Sequence, residues 1–171
     1  KGKKQLMGKY ETLRESNDSP INPYRVYGDL MKTIDPNNSF VTAESGNTRA
    51  QCSTIYEAII PRGFLGWGNV STQEFSLTGT IAAKLAYPER QCVAIIGDAG
   101  IGYMLGNLEA LVRYNIGITI IHINNGVFGG YGPGFWGKGS YPYTYEVSKH
   151  SIANDSEAVK NLGFYTESIS D

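Results

Sequence analysis

The chain has 171 residues, 41% of them apolar and 18% charged, and a formal net charge of −1. That length suits one domain with a core of its own, the composition excludes a disordered chain, and the charge excludes a general basic surface for nucleic acid. No apolar run approaches the roughly 18 residues of a membrane span, and the lysine-rich start lacks the apolar stretch of a signal peptide. Neither nucleic acid nor a membrane is an expected partner. Cys52 and Cys92 are too few and too far apart for a disulfide framework or a zinc site, and read as reduced, buried thiols of a cytoplasmic protein. His122 stands in an apolar run and His150 in a polar one; with no metal-ligating partner at suitable spacing, both read as structural.

In chain order, Lys3 to Glu15 has helical spacing (Leu6, Met7, Tyr10, Leu13) and many charges. Residues 1–20 therefore read as a surface helix or a linker from an upstream domain, and residues 21–171 as the domain proper. Asn22 and Pro23 are a strong helix start, an N-cap followed by proline at the first helical position. Val26, Leu30, Met31 and Ile34 then share one face. "SFVTA" (39–43) is a short strand and "ESGN" a polar turn. A helix follows from about Thr48 through Ile59, then a short extended piece from Gly63 to Leu65. "EFSLTGTIAAKLA" (74–86) is a helix of small residues that can approach neighbouring backbone closely. "CVAIIG" (92–97) and "ITIIHIN" (118–124) are continuous apolar runs, the mark of strands covered on both faces. Between them Met104, Leu105, Leu108, Leu111 and Val112 fall on one helical face. "SEAVKNLG" is a helix closed by Gly163, and "FYTESI" a last strand.

Strands alternating with helices predict an α/β fold: a doubly wound, mainly parallel sheet with helices on both faces. The stretch from Gly126 to Tyr145 breaks this regularity, being Gly-rich, aromatic and without period. Loops of such length in compact domains are usually functional or disordered. Both ends of the chain read as cut, and the C-terminus lacks the closing helix that an α/β domain normally adds.

In open parallel sheets, ligands bind beyond the carboxyl ends of the strands. Asp98 follows one strand directly, and Asn124 and Asn125 follow the next. Gly100 and Gly102 precede a helix, whose free N–H groups favour phosphate. One carboxylate, one amide oxygen and a phosphate-binding turn form an oxygen-rich site that suits Mg²⁺ held through a diphosphate. The competing account is local: Asp98 caps the following helix, and the asparagines make a turn. A dinucleotide fingerprint fits less well, because the glycines fall as G-x-x-G-x-G and no ribose-binding acid ends the next strand. No P-loop is present.

"GDAGIG" (97–102) and "NN" (124–125), with 27 positions from Asp98 to Asn125, resemble the two-part motif of thiamine-diphosphate-dependent enzymes. "ESGNT" (44–48) resembles the diphosphate turn of oxalyl-CoA decarboxylases and 2-hydroxyacyl-CoA lyases. "INPYRV" and "ERQCVAIIGDAG" look like acetolactate synthase. The resemblance runs from about Pro20 to Ile169 and is to the C-terminal, diphosphate-binding domain of these enzymes. It implies thiamine diphosphate and Mg²⁺ as cofactors, with the metal held by Asp98, Asn125 and the main-chain carbonyl of Val127. Cofactor contacts are implied at Glu44, Ser45, Gly46, Asn47, Thr48, Gln73, Gly97, Asp98, Ala99, Gly100, Asn125, Val127 and Phe128. The implied activity makes or breaks a C–C bond next to a carbonyl in a 2-oxo acid or 2-hydroxyacyl-CoA, as lyase, decarboxylase or synthase.

Two departures stand out. Ala99 replaces a motif glycine, and Gln73 and Glu74 fall where relatives carry an apolar residue under the thiazolium ring and a glycine. These two residues favour the alternative, a non-catalytic α/β module kept for phosphate-ligand binding or assembly. The glutamate that activates the cofactor is implied on another, pyrimidine-binding domain of the same or a partner chain, in a homodimer or homotetramer. The catalytic residue in this chain is therefore unknown. Tyr131, Phe135 and Trp136, in the loop with Gly129, Gly130, Gly132 and Gly134, are candidates for a lid over a small-molecule substrate or, equally, for docking on the neighbouring domain.

Overall fold

A computed structural model of the chain describes residues 2–126 and 155–170. Helices α1 (Gly2–Arg14) and α2 (Pro23–Thr33) come first, followed by β1 (Ser39–Ala43), α3 (Asn47–Ile55), β2 (Phe64–Leu65), α4 (Phe75–Ala86) and β3 (Gln91–Gly97). Then come α5 (Asp98–Met104), a 3-10 turn (Leu105–Asn107), α6 (Leu108–Arg113), β4 (Thr119–Ile123) and α7 (Asp155–Asn161). The four strands are parallel, in the order β2-β1-β3-β4. From β1 the chain moves outward to β2, then returns to lay β3 on the opposite side of β1. The strand order thus reverses between β1 and β3, where open α/β sheets form a crevice.

β3 behaves as a doubly covered strand should, whereas β4, at the edge of the described sheet, is only part-buried from Ile120 to Ile123. Val93 and Ile95 of β3 face one layer with Val41, Cys52, Ile55, Tyr27 and Leu30, from β1, α3 and α2. Ala94 and Ile96 face the other, with Leu77 of α4, Ile101 and Met104 of α5, and Leu108 and Leu111 of α6. The alternation within one strand therefore separates two cores.

Helix α2 starts as its sequence dictates, with the Asn22 side chain accepting from the Tyr24 N–H at 3.0 Å and Pro23 behind it. Its buried face is centred on Tyr27 and Leu30, with Met31 and Ile34 packed at the margin. Small residues let α4 approach β1: buried Thr42 Oγ1 lies 2.7 Å from both Ser76 Oγ and Thr80 Oγ1. Ser76 Oγ also donates to the Ile95 carbonyl at 3.1 Å. Hydroxyls that satisfy one another can be buried here at little cost.

Four sequence expectations need correction. Helix α3 ends at Ile55, not Ile59: Tyr56 is already extended, and a turn bonding Gly63 N–H to the Ile60 carbonyl at 3.0 Å brings the chain back toward β2. Pro61 cannot lie inside a continuing helix. The helix between β3 and β4 is broken at Leu105–Asn107. The tighter 3-10 turn rotates the following face, so Leu108 and Leu111 are buried while Val112 is exposed. Helix α5 begins at Asp98 itself, so Gly100 and Gly102 lie inside its first turns and do not precede it. The last expected strand, 164–169, pairs with no strand among the described residues. Phe164 packs on the α4–α6 core, while Tyr165 and Ile169 are 86% and 70% exposed. Gly163, at φ +106°, closes α7 as expected.

Gly100 is set by close packing. A Cβ there would lie 2.7 Å from Ile96 Cγ2 and 2.9 Å from Glu44 Cγ. Gly100→Ala should therefore lower stability by about 1–3 kcal/mol, the usual cost of overpacking. An unchanged urea midpoint would contradict this contact. Cys52 and Cys92 are free and buried as expected, and burial pushes the Cys52 thiol up to about 12. The thiolate is the reactive form. Iodoacetamide at pH 8 should label Cys52 only after unfolding; rapid labelling of the native protein would show that the α3 layer is open.

Candidate functional site

The register of the sheet builds the site. Gly97 of β3 pairs with Ile123 of β4, so Asp98 and Asn124 leave the sheet side by side, with Asn125 one residue further. Ala43 of β1 pairs with Ile95, so the 44–48 turn leaves at the same end. Thr48 faces Gly97: a Cβ on Gly97 would make ordinary contact with Thr48 Cγ2, at 3.6 Å. Three segments distant in sequence thus meet at the carboxyl ends of β1, β3 and β4.

Asp98 is the centre of the arrangement, its side chain 1% exposed. Its Oδ2 accepts from the N–H groups of Asn125 at 3.2 Å and Gly126 at 3.0 Å. Its Oδ1 lies 3.2 Å from His122 Nε2. Burial works to raise this carboxyl, but the hydrogen bond and charge of His122, with the two backbone N–H groups, hold it below the usual carboxylate range. A carboxylate offers about four acceptor positions. The described residues use three, which leaves one on Oδ1 among them.

His122 lies opposite Ile96 in the register, and so on the face covered by α5 and α7. Its Nδ1 meets the Asp155 carboxylate at the start of α7. Burial alone would push the imidazole down; its bonds to Asp98 and Asp155 and their charges overcome that and raise it above its ordinary value. The carboxylate partners that the spacing in sequence did not offer His122 are thus supplied by Asp98 of α5 and Asp155 of α7. The sequence signal was a lone imidazole in an apolar strand, two residues before Asn124, and the signal for Asp155 was an acid opening a helix. His150 lies outside the described residues.

On the β1 side, Glu44 is also buried. Its Oε1 accepts from the Ser45 N–H at 2.9 Å, and its Oε2 has no hydrogen-bond partner among the described residues. Burial pushes the carboxyl above its usual range, against the opposing pull of the N–H groups of Ser45, Ser76 and Glu74. Two of those belong to the start of α4, where Glu74 sits at φ +73° with no side-chain cap of its own. Thr48 Oγ1 donates to the Glu44 carbonyl at 3.0 Å. Ser45 Oγ bonds to Ser71 Oγ, and Gln73 Nε2 reaches the Ser45 carbonyl at 3.4 Å. Gly46 and Asn47 are exposed, while Ala99 and Gly100 are buried beneath the turn. The structure therefore gathers Glu44, Ser45, Thr48, Gln73, Gly97, Asp98, Gly100 and Asn125 at one end of the sheet. Val127, Phe128, Tyr131, Phe135 and Trp136 lie outside the described residues.

Among the described residues no group of three or more His, Cys, Asp or Glu side chains is arranged as an all-protein metal centre. A single ionised carboxylate that keeps one acceptor position is a different donor set. It matches a cation bound mainly through phosphate oxygens and water.

Residues 44–159 match the family of the thiamine pyrophosphate enzyme, C-terminal TPP binding domain. Over 111 residues, 64% of this chain and 19% of the relative, the chain is 35% identical to a 2-hydroxyacyl-CoA lyase of Arabidopsis thaliana. It is 29% identical to a probable acetolactate synthase large subunit of Methanococcus aeolicus, over 68% of this chain and 20% of that one. It thus spans about a fifth of the length of these relatives. A thiamine diphosphate-dependent 4-hydroxybenzoylformate decarboxylase of Rhodococcus jostii RHA1 shares the fold, with a TM-score of 0.71 at 18% identity, covering 91% of this chain and 29% of that one. A parallel sheet whose strand order reverses above an ionised aspartate, matched by this family over most of its length, makes the chain a member of the C-terminal TPP-binding domain family of thiamine pyrophosphate enzymes.

Proposed function

We propose that this chain binds Mg²⁺ and the diphosphate of thiamine diphosphate, within an enzyme that makes or breaks a C–C bond beside a carbonyl. The observation that carries this reading is Asp98: a buried carboxylate, held ionised, with one acceptor position left on Oδ1 and Asn125 beside it. A bare carboxylate facing a diphosphate would repel it, and a divalent cation between the two turns that repulsion into attraction. Asp98 supplies the charged protein ligand, Asn125 a neutral one, and the Val127 carbonyl completes the set. The 44–48 turn, with Thr48 facing Gly97, forms the opposite wall.

When bound, thiamine diphosphate supplies a nucleophilic carbon for a carbonyl and a ring that accepts the electron pair of the broken bond. This chain fixes the diphosphate end, so that the reacting end is held where a second, pyrimidine-binding domain meets it. The substrate class is a 2-oxo acid or a 2-hydroxyacyl-CoA, the latter in keeping with the lyase relative. The Gln73 carboxamide reaches across to the Ser45 carbonyl in the crevice. That polar bridge favours a second reading, a phosphate-ligand module without turnover.

Asp98→Ala in the intact protein should weaken Mg²⁺-dependent binding of thiamine diphosphate at least tenfold, about 1.4 kcal/mol. Titration calorimetry reads this directly, with the fold checked by circular dichroism. Undiminished binding in a folded variant would sink the ligand assignment. The two readings separate in a turnover assay with cofactor, Mg²⁺ and a panel of 2-oxo acids and 2-hydroxyacyl-CoA thioesters. Consumption of any of these supports the enzyme; tight cofactor binding with none supports the module.

A further inference from the structure

Two carboxylates flank His122: Asp98, at the start of α5, and Asp155, at the start of α7. The chain leaves the site at Gly126, whose N–H is bonded to Asp98 Oδ2 at 3.0 Å. It returns at Asp155, whose carboxylate holds His122 Nδ1 while His122 Nε2 faces Asp98 Oδ1. Departure and return are thus fastened to the two oxygens of a single side chain. His122 is 13% exposed and Asp155 15%, so the linkage is largely shielded from water. Hydrogen bonds there polarise one another, and losing one member leaves the others unsatisfied.

We propose that His122 and Asp155 are positioning residues for the cation site: the chain Asp98–His122–Asp155 fixes the Asp98 carboxylate and fastens α7 to it. This rests on the reading of Asp98 as a cation ligand. Among the described residues, the link of Asp155 to Asp98 runs through the imidazole. His122 takes one acceptor position on Oδ1 and thereby fixes the direction of the remaining one, which is where a cation has to approach. Residues that orient a metal ligand from behind commonly change metal affinity by roughly 10- to 100-fold when removed. The linkage also works in the other direction. If α7 steadies the ligand, a bound cation must steady α7 by the same factor.

The test is a double-mutant cycle in the intact protein with Asp155→Asn, His122→Leu and the pair of substitutions together. Mg²⁺-dependent affinity for thiamine diphosphate is measured alongside amide exchange over residues 159–163. Asp155→Asn should weaken Mg²⁺-dependent binding about tenfold. His122→Leu should weaken it at least as much, and adding Asp155→Asn to His122→Leu should change nothing further. Mg²⁺ with cofactor should slow exchange over 159–163 in the parent protein and leave it unaltered in His122→Leu, a difference that a purely structural role would not produce. Binding within twofold of the parent in Asp155→Asn, or an equal loss in the His122→Leu background, overturns the proposal. A ligand-free arm separates this from the site reading. Asp98→Asn, which keeps the side-chain shape, should speed exchange over 159–163 without cofactor, as His122→Leu does. If the parent protein binds no thiamine diphosphate, the site reading fails while this arm still decides the linkage; unchanged exchange in Asp98→Asn overturns it.

Discussion

A carboxylate buried at the end of a central strand is stable only if its charge is answered on both oxygens, and Asp98 meets that condition through one stretch of the chain, the end of β4 and the residues just beyond it. Backbone N–H groups of Asn125 and Gly126 serve Oδ2, and His122 serves Oδ1. The donors are available only because β4 lies beside β3 in a register that pairs Gly97 with Ile123. A shift by one residue would turn His122 to the opposite face of the sheet. The two-sided apolar packing of β3 and β4, which fixes that register, is thus a precondition for an ionised aspartate in the crevice.

A second carboxyl experiences the opposite balance. Glu44 sits at the carboxyl end of β1, beneath Gly100 of α5 and beside the uncapped start of α4. Burial dominates there and raises its carboxyl, whereas hydrogen bonding and the charge of His122 dominate at Asp98 and lower it. Two acids at neighbouring strand ends are therefore driven apart in ionisation.

Much of this architecture is legible in the residues. Continuous apolar runs mark β3 and β4, the Asn22-Pro23 pair marks the start of α2, and the spacing of Asp98 and Asn125 marks strand ends that face one crevice. The 3-10 break at Leu105–Asn107 is not legible, because its apolar residues still fit one continuous helical face until the tighter turn rotates Val112 outward. The end of α3 is missed because Ile59 continues the apolar pattern although the chain has already turned extended at Tyr56. His122 and Asp155 are missed for a different reason. Their partnership spans two elements separated by residues 124–154, and nothing local in either stretch reveals which face of β4 α7 covers. A lone histidine in a strand is read by its neighbours in sequence, whereas its role here is set by its neighbours in space.

The most direct test of the account is to see which atoms hold the cation. Crystals of the intact protein grown with thiamine diphosphate and Mn²⁺ in place of Mg²⁺ would give an anomalous signal at the metal. The account predicts one peak in coordination contact with Asp98 Oδ1, with Asn125 alongside and His122 still joining Asp98 to Asp155. A peak away from Asp98, with both of its oxygens held by protein donors alone, would contradict it.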